Sequence, residues 1–259
     1  YGRNYDYYYS NSPSILVKMR GNNNRYKSIG IANYLSLEDN DLVNLEANKT
    51  NQHAINIIPN FMLDGINEKG VVCNMNVVDI DDGGGKITST NPGKPKLYVF
   101  FALRYILDNA YSADHAVQLL RDHDIFALET NNNTIHFMIA DATKTYIVEF
   151  ITKNGVTELR AQEKENEDRV MVNFYNNLTD EERKATYTDP TVRDDPKYGG
   201  KYNNNAHGTE RYEFVQKHYG DCDTVYGMWS VLHDIRYGIM YLNPETPDWP
   251  SEDFSQEEI

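Results

Sequence analysis

Cysteine is scarce in this sequence: two residues, Cys73 and Cys222, in a chain of 259. A disulfide-built secreted scaffold needs more, so the pair fits a reducing compartment, and with no visible leader the expected location is cytoplasmic. Long apolar runs are missing as well. The most apolar stretch, Leu97 to Leu107, is broken by Arg104, whereas a membrane helix needs about eighteen apolar residues or more in a row. No membrane partner is expected. Positive charge is in deficit, 25 Lys and Arg against 39 Asp and Glu for a net charge of −14. Such a chain is repelled by a phosphate backbone, which argues against nucleic acid as a partner. The acidic residues crowding the end, Glu245 to Glu258, read as a solvated tail.

Several chemistries lack their residues. The seven histidines form no His-Glu-x-x-His pattern and no tight Cys/His cluster, so no zinc site is expected. Asp79-Ile80-Asp81-Asp82-Gly83 starts like a calcium loop, but Gly83 takes the fifth position and Thr90 stands where the closing Glu belongs. There is no phosphate loop, no dinucleotide-binding glycine pattern and no Gly-x-Ser-x-Gly elbow. No metal and no organic cofactor are implied. The Asn-x-Thr triplets at Asn48, Asn132 and Asn177 carry no weight in so Asn-rich a chain.

Strands are expected at Ser14–Met19 and Ser28–Ala32, with a turn at Gly21–Asn24, then at Ala54–Ile58 and Gly70–Ile80, with Asp64-Gly65 marking a turn. Asp81 to Gly85 reads as an exposed loop. Helices follow at Lys96–Asn109 and Ser112–His123, the second with Ser112 as N-cap. A meander is expected over Thr134–Ala140, Thr145–Ile151, Val156–Ala161 and Arg169–Phe174, turning at Asp141 and Asn154-Gly155. Thr179 and Glu182 suit a capping box. A polar loop over Pro190–Asn205 and helices at Thr209–Tyr219 and Thr224–Ile235 complete the chain. Strands, helices, strands, helices in that order predict segregated layers, an α+β fold, and not a doubly wound parallel sheet.

Neither cysteine suits a nucleophile. Cys73 lies in an apolar strand, where a buried thiol is inert, and Cys222 sits between Asp221 and Asp223, whose charges disfavour a thiolate. Tyr1-Gly2-Arg3-Asn4-Tyr5-Asp6 instead places a permanent cation three residues from a carboxylate, a pair able to fix a nearby thiol or amine electrostatically.

Five segments, in order across nearly the whole chain, resemble the choloylglycine hydrolase family, the linear-amide C–N hydrolases that include bile salt hydrolase and penicillin V acylase. They are Gly2-Arg3-Asn4-Tyr5-Asp6; Asp64-Gly65-Ile66-Asn67-Glu68-Lys69-Gly70 running into Val71-Val72-Cys73-Asn74-Met75-Asn76; His136 to Ala142 with Ile147-Val148-Glu149; Val172-Asn173-Phe174-Tyr175; and Thr209-Glu210-Arg211-Tyr212. The resemblance implies an N-terminal-nucleophile hydrolase, a four-layer αββα sandwich with two antiparallel sheets between helix layers. In that family the mature chain begins with Cys, whose own α-amine is the general base for its thiol. The thiolate attacks an amide carbonyl, an acyl-enzyme forms, and water releases the acid.

Carried over residue by residue, the resemblance makes Arg3 the arginine beside the nucleophile and Asp6 the carboxylate that holds its amine and thiol. Asn173 is the amide near the tetrahedral intermediate and Arg211 the second arginine. The oxyanion donor is expected at Asn76, with Asn74 as the alternative. The implied partner is a small N-acyl amide such as a conjugated bile salt or penicillin V, and Tyr7, Tyr8 and Tyr9 could line an acyl pocket. Relatives form dimers or tetramers, so a homo-oligomer is expected. The departure from the pattern is the nucleophile. No cysteine precedes Arg3, and neither Cys73, whose nitrogen is in a peptide bond, nor Tyr1, whose phenol is too weak an acid, can replace it. Residues 1–259 are therefore expected to form a single domain lacking the N-terminal nucleophile strand and a C-terminal strand. The rival readings are an inactive ligand-binding relative and an acyltransferase of the same superfamily.

Overall fold

The computed structural model describes residues 1–3, 14–33, 56–78, 87–128, 134–179, 181–182 and 209–235. Asp6, Tyr7 to Tyr9, and the loops expected at 81–85 and 190–205 lie outside the described residues.

Seven strands form one antiparallel sheet: β1 (Ser14–Met19), β2 (Ser28–Asn33), β3 (Met62–Asn67), β4 (Val72–Val78), then β7 (Thr134–Ala140), β8 (Thr145–Lys153) and β9 (Val156–Lys164), in that spatial order. Between β4 and β7 the chain makes β5 (Lys96–Tyr98), helix α1 (Val99–Asn109), helix α2 (Ala113–Arg121) and β6 (Asp124–Phe126), with β5 and β6 paired in parallel. Helices α3 (Thr209–Lys217) and α4 (Val225–Asp234) follow.

The helices form where apolar residues recur every three and four positions. In α1 the buried apolar residues are Val99, Ala102, Leu103, Ile106 and Leu107, and in α2 Ala113, Ala116, Val117 and Leu120, so each presents one apolar stripe. Ser112 caps α2 as expected, accepting the His115 N–H at 3.1 Å. The two stripes cover one face of the sheet, α1 on β3 and β4 and α2 on β7 and β8. The core lies between, with Cys73, Met75, Ile135, Phe137, Ile139, Val148 and Phe150 pointing into it. Strand β7 is buried along nearly its whole length, which requires a second layer on the far face. That layer comes from segment 170–177 and α3. Tyr175 packs with Val78 and Ile151, and Phe174 meets Tyr212 of α3 edge-on at 5.1 Å.

Two family-like segments prove to be structural hubs. Asn67 donates Nδ2 to the carbonyls of Leu107 and Ala110 at 3.1 and 2.7 Å, and its Oδ1 accepts the amides of Lys69 and Val71. It thereby ties the β3–β4 turn to the end of α1, satisfying carbonyls the helix cannot pair itself. Asp141 does the same between the β7–β8 turn and the first residue of α2, accepting the Ala113 N–H at 2.7 Å.

Four expected elements differ. Ile58–Asn60 is a 3-10 turn preceded by a turn at 56–57, not the end of a strand; Pro59 cannot donate to a ladder. Asp64-Gly65 lies inside β3 and not at a turn. There Gly65 faces Gly30, and a Cβ on it would stand 2.6 Å from Leu107 Cδ1, so the glycine serves close packing of α1. Segment 169–174 is not a strand: it bends at Asn173 and Phe174, and side chains take the carbonyls of Val170 and Val172. The first expected helix opens with the short strand β5.

Candidate active site

The far face of the sheet carries the polar residues. Asn74 and Asn76 alternate with Cys73 and Met75 along β4. Asp64 is paired with Asn74, and His136 with Asn76.

Arg3 lies across this face. Its Nη1 donates to the Leu63 carbonyl at 2.8 Å and to Asp64 Oδ2 at 3.3 Å, and its Nη2 to the Met75 carbonyl at 2.9 Å. The guanidinium is mostly buried, with the Asp64 carboxylate beside it. Gly2 explains how the chain comes so close: a Cβ there would meet Met228 and Leu232 of α4 at 2.5 and 2.6 Å. Tyr1 is half exposed, but its hydroxyl end reaches inward to hydrogen-bond the Asn74 side chain. Burial pushes the Tyr1 phenol above its usual range, aided by Asp64 and Cys73 and opposed by Arg3.

Asn76 and Asn173 meet in a reciprocal clasp. Asn76 Nδ2 donates to the Val172 carbonyl at 3.4 Å, and Asn173 Nδ2 donates to the Val77 carbonyl at 2.8 Å. Each amide nitrogen carries a second hydrogen. Asn74, by contrast, is buried, its Oδ1 accepting the Met138 N–H at 3.2 Å. Arg211 is half-buried in the first turn of α3, one residue before the Tyr212 that packs on Phe174. Arg3, Asn76 and Asn173 are thus brought to one region, with Arg211 on the helix that backs it.

Both cysteines are unsuited to attack. Cys73 is fully buried, and burial, with Asp64 adding to it, raises its thiol well above the usual range. Cys222 is raised too, by burial and then by Asp221 and Asp223. Among the described residues no group of three or more His, Cys, Asp or Glu could hold a metal.

Sequence reasoning gave no role to Asp64, which orients Arg3. Nor did it give one to His136 and Glu149, both fully buried. The signal available was a His and a Glu inside otherwise apolar strands, since such groups are buried only when paired.

The family model for acyl-coenzyme A:6-aminopenicillanic acid acyl-transferase matches residues 1–242. This chain belongs to that family. The solved structures it resembles include two variants of the conjugated bile acid hydrolase from Clostridium perfringens. Each has a TM-score of 0.52, at 17% and 18% identity, over 88% of this chain and 72% of the other. Penicillin V acylase from Agrobacterium tumefaciens matches at 18% identity over 89% of this chain and 64% of its own, with a TM-score of 0.49. Among curated protein sequences none matches. The expected resemblance and N-terminal-nucleophile hydrolase fold are borne out by the family and the bile acid hydrolase structures. Among the described residues the seven-stranded sheet is the large antiparallel sheet of that fold. No described helix is long and apolar enough to cross a membrane.

Proposed function

We propose that the protein transfers the acyl group of a linear N-acyl amide to water, through the thiol of an N-terminal cysteine supplied by residues outside this sequence. The observation that carries this is the convergence of Arg3, anchored by two carbonyls and Asp64, with the Asn76–Asn173 clasp. A fixed cation and two amide donors on one sheet face suit a thiolate and the oxyanion of a tetrahedral intermediate.

In the reaction the cysteine thiol passes its proton to its own α-amine, and the sulfur attacks the amide carbon. The carbonyl electrons move onto oxygen, where Asn76 is the assigned donor. Their return expels the amine, which takes the proton from the α-ammonium and leaves a thioester. Water then adds to the thioester and frees the acid and the thiol. Asn173 holds the α-amine and the intermediate, Arg3 and Asp6 hold the nucleophile, and Arg211 supports the charge of the site. Candidate substrates are conjugated bile salts and penicillin V.

The name of the matched family favours a second reading, in which an amine takes the place of water at the thioester step. One assay separates the readings: the protein from its full-length gene is given penicillin V or a glycine-conjugated bile salt, with and without an added amine. Free acid formed at a rate independent of the amine supports hydrolysis. New amide formed at the expense of free acid supports acyl transfer. Ligand binding by calorimetry with neither product would leave a binding protein and refute both.

A further inference from the structure

Four side chains from four adjacent strands line up on the far face of the sheet: Asn76 of β4, His136 of β7, Glu149 of β8 and Arg160 of β9. Every one of them bonds to the backbone of the same short segment, 172–177. Asn76 Nδ2 and His136 Nε2 both reach the Val172 carbonyl, at 3.4 and 2.8 Å. Glu149 takes the Asn176 N–H on Oε1 at 2.6 Å and the Asn177 N–H on Oε2 at 2.7 Å. Arg160 Nη1 donates to the Asn177 carbonyl at 3.3 Å.

At the centre, His136 Nδ1 stands 3.3 Å from Glu149 Oε1, and both side chains are fully buried. The contact to Val172 requires hydrogen on Nε2, because a carbonyl only accepts. The contact to Glu149 needs a further proton, on Nδ1 or on the carboxyl itself. Two backbone donors also hold the Glu149 carboxyl, so both members of this buried pair are tied to segment 172–177. A buried charge is tolerated only when its partners are in place, and removing one partner is costly.

We propose that His136 and Glu149 are positioning residues, which clamp segment 172–177 so that Asn173 stands against β4 beside Asn76. Neither side chain touches Asn173 itself in any of these bonds. Val172, held from both strands, immediately precedes it, and Asn176 and Asn177 fix the far end. The effect on catalysis rests on the amide cleavage proposed above; the clamp does not.

The test uses the protein from its full-length gene with His136→Leu, Glu149→Gln and His136→Gln. Gln at 136 keeps a donor for the Val172 carbonyl, whereas Gln at 149 turns an N–H toward a backbone N–H. Hydrogen exchange is measured on peptides covering 170–177 and, for comparison, α1. Exchange in 170–177 is expected to quicken by about tenfold or more in the Leu and Glu149 variants, with α1 unchanged. Turnover of penicillin V is expected to fall by about 10- to 100-fold in kcat with KM within about twofold, and His136→Gln is expected to recover most of both losses. If His136→Leu does not fold, His136→Asn takes its place. Unchanged exchange in 170–177, or equal quickening in α1, would overturn the clamp. Local quickening with kcat intact would overturn its role in catalysis. A parent protein that turns over no N-acyl amide would instead refute the functional reading, and the exchange comparison would still decide the clamp.

Discussion

The Asn173 side chain donates Nδ2 to the Val77 carbonyl at 2.8 Å. Asn173→Ala removes that bond and, on the proposed reading, a donor to the intermediate. Loss of one such donor costs about 100- to 1,000-fold in kcat, while loss of one part-exposed hydrogen bond costs about 1 kcal/mol of stability. Kinetics and thermal melting on the same variant are therefore expected to diverge, with a large fall in kcat and a small fall in Tm. Cys73 gives the opposite pattern. Its thiol is buried and its ionisation disfavoured, so Cys73→Ala is expected to leave turnover intact and to cost about 1 kcal/mol of stability from lost packing. Activity lost in that variant at full folding would make Cys73 the nucleophile after all. Inertness at Cys73 and Cys222 was legible from their neighbours in sequence. Asp64 was not, because its partner Arg3 lies 61 positions away and only the fold joins them.

At the scale of elements, patterns with a strict period were readable. The stripes of α1 and α2, the β7–β8–β9 meander and the Ser112 cap all follow local rules. The Thr179–Glu182 capping box forms as well, Thr179 N–H to Glu182 Oε2 at 2.8 Å and the return bond at 3.2 Å. What failed was decided by tertiary contact. Asp64-Gly65 has the composition of a turn, yet it is strand because Gly65 lets Leu107 approach and Asp64 bonds Arg3 and the Ile31 N–H. Gly65→Ala is accordingly expected to destabilise by about 1–3 kcal/mol through overpacking, seen as a lower Tm. An unchanged Tm would show that α1 shifts without cost. Asn177, read in sequence only as part of an Asn-x-Thr triplet, is buried with its Nδ2 on the Ile147 carbonyl. It is closed to modification in the folded chain.

For the whole molecule, Asp141 is one of several carboxyls, with Asp124, Glu158 and Glu182, held below the ordinary range and so tied to acid stability. Burial raises its carboxyl, but the amides of Ala113, Thr143 and Lys144 and the Thr143 hydroxyl outweigh it, leaving a value of about 2 against an ordinary 3.8. A depressed folded value means that stability is present in full above the ordinary value and is lost as pH falls toward the folded one. Asp141→Asn is therefore expected to be less stable than the parent at neutral pH, by about 1 kcal/mol once solvent screening is allowed for. The gap should close between about pH 4 and about pH 2. A gap independent of pH would show that shape, not charge, is what Asp141 contributes.

The proposed activity stands or falls on an N-terminal cysteine that precedes Arg3 in the mature protein and carries the acyl group. N-terminal sequencing with intact mass, on protein purified from its full-length gene, tests it most directly. The expected result is a mature chain that begins with Cys, upstream of Gly2. A mature chain with no cysteine upstream of Arg3 would contradict it, and the Arg3, Asn76 and Asn173 arrangement would then belong to a protein that binds its ligand without cleaving it.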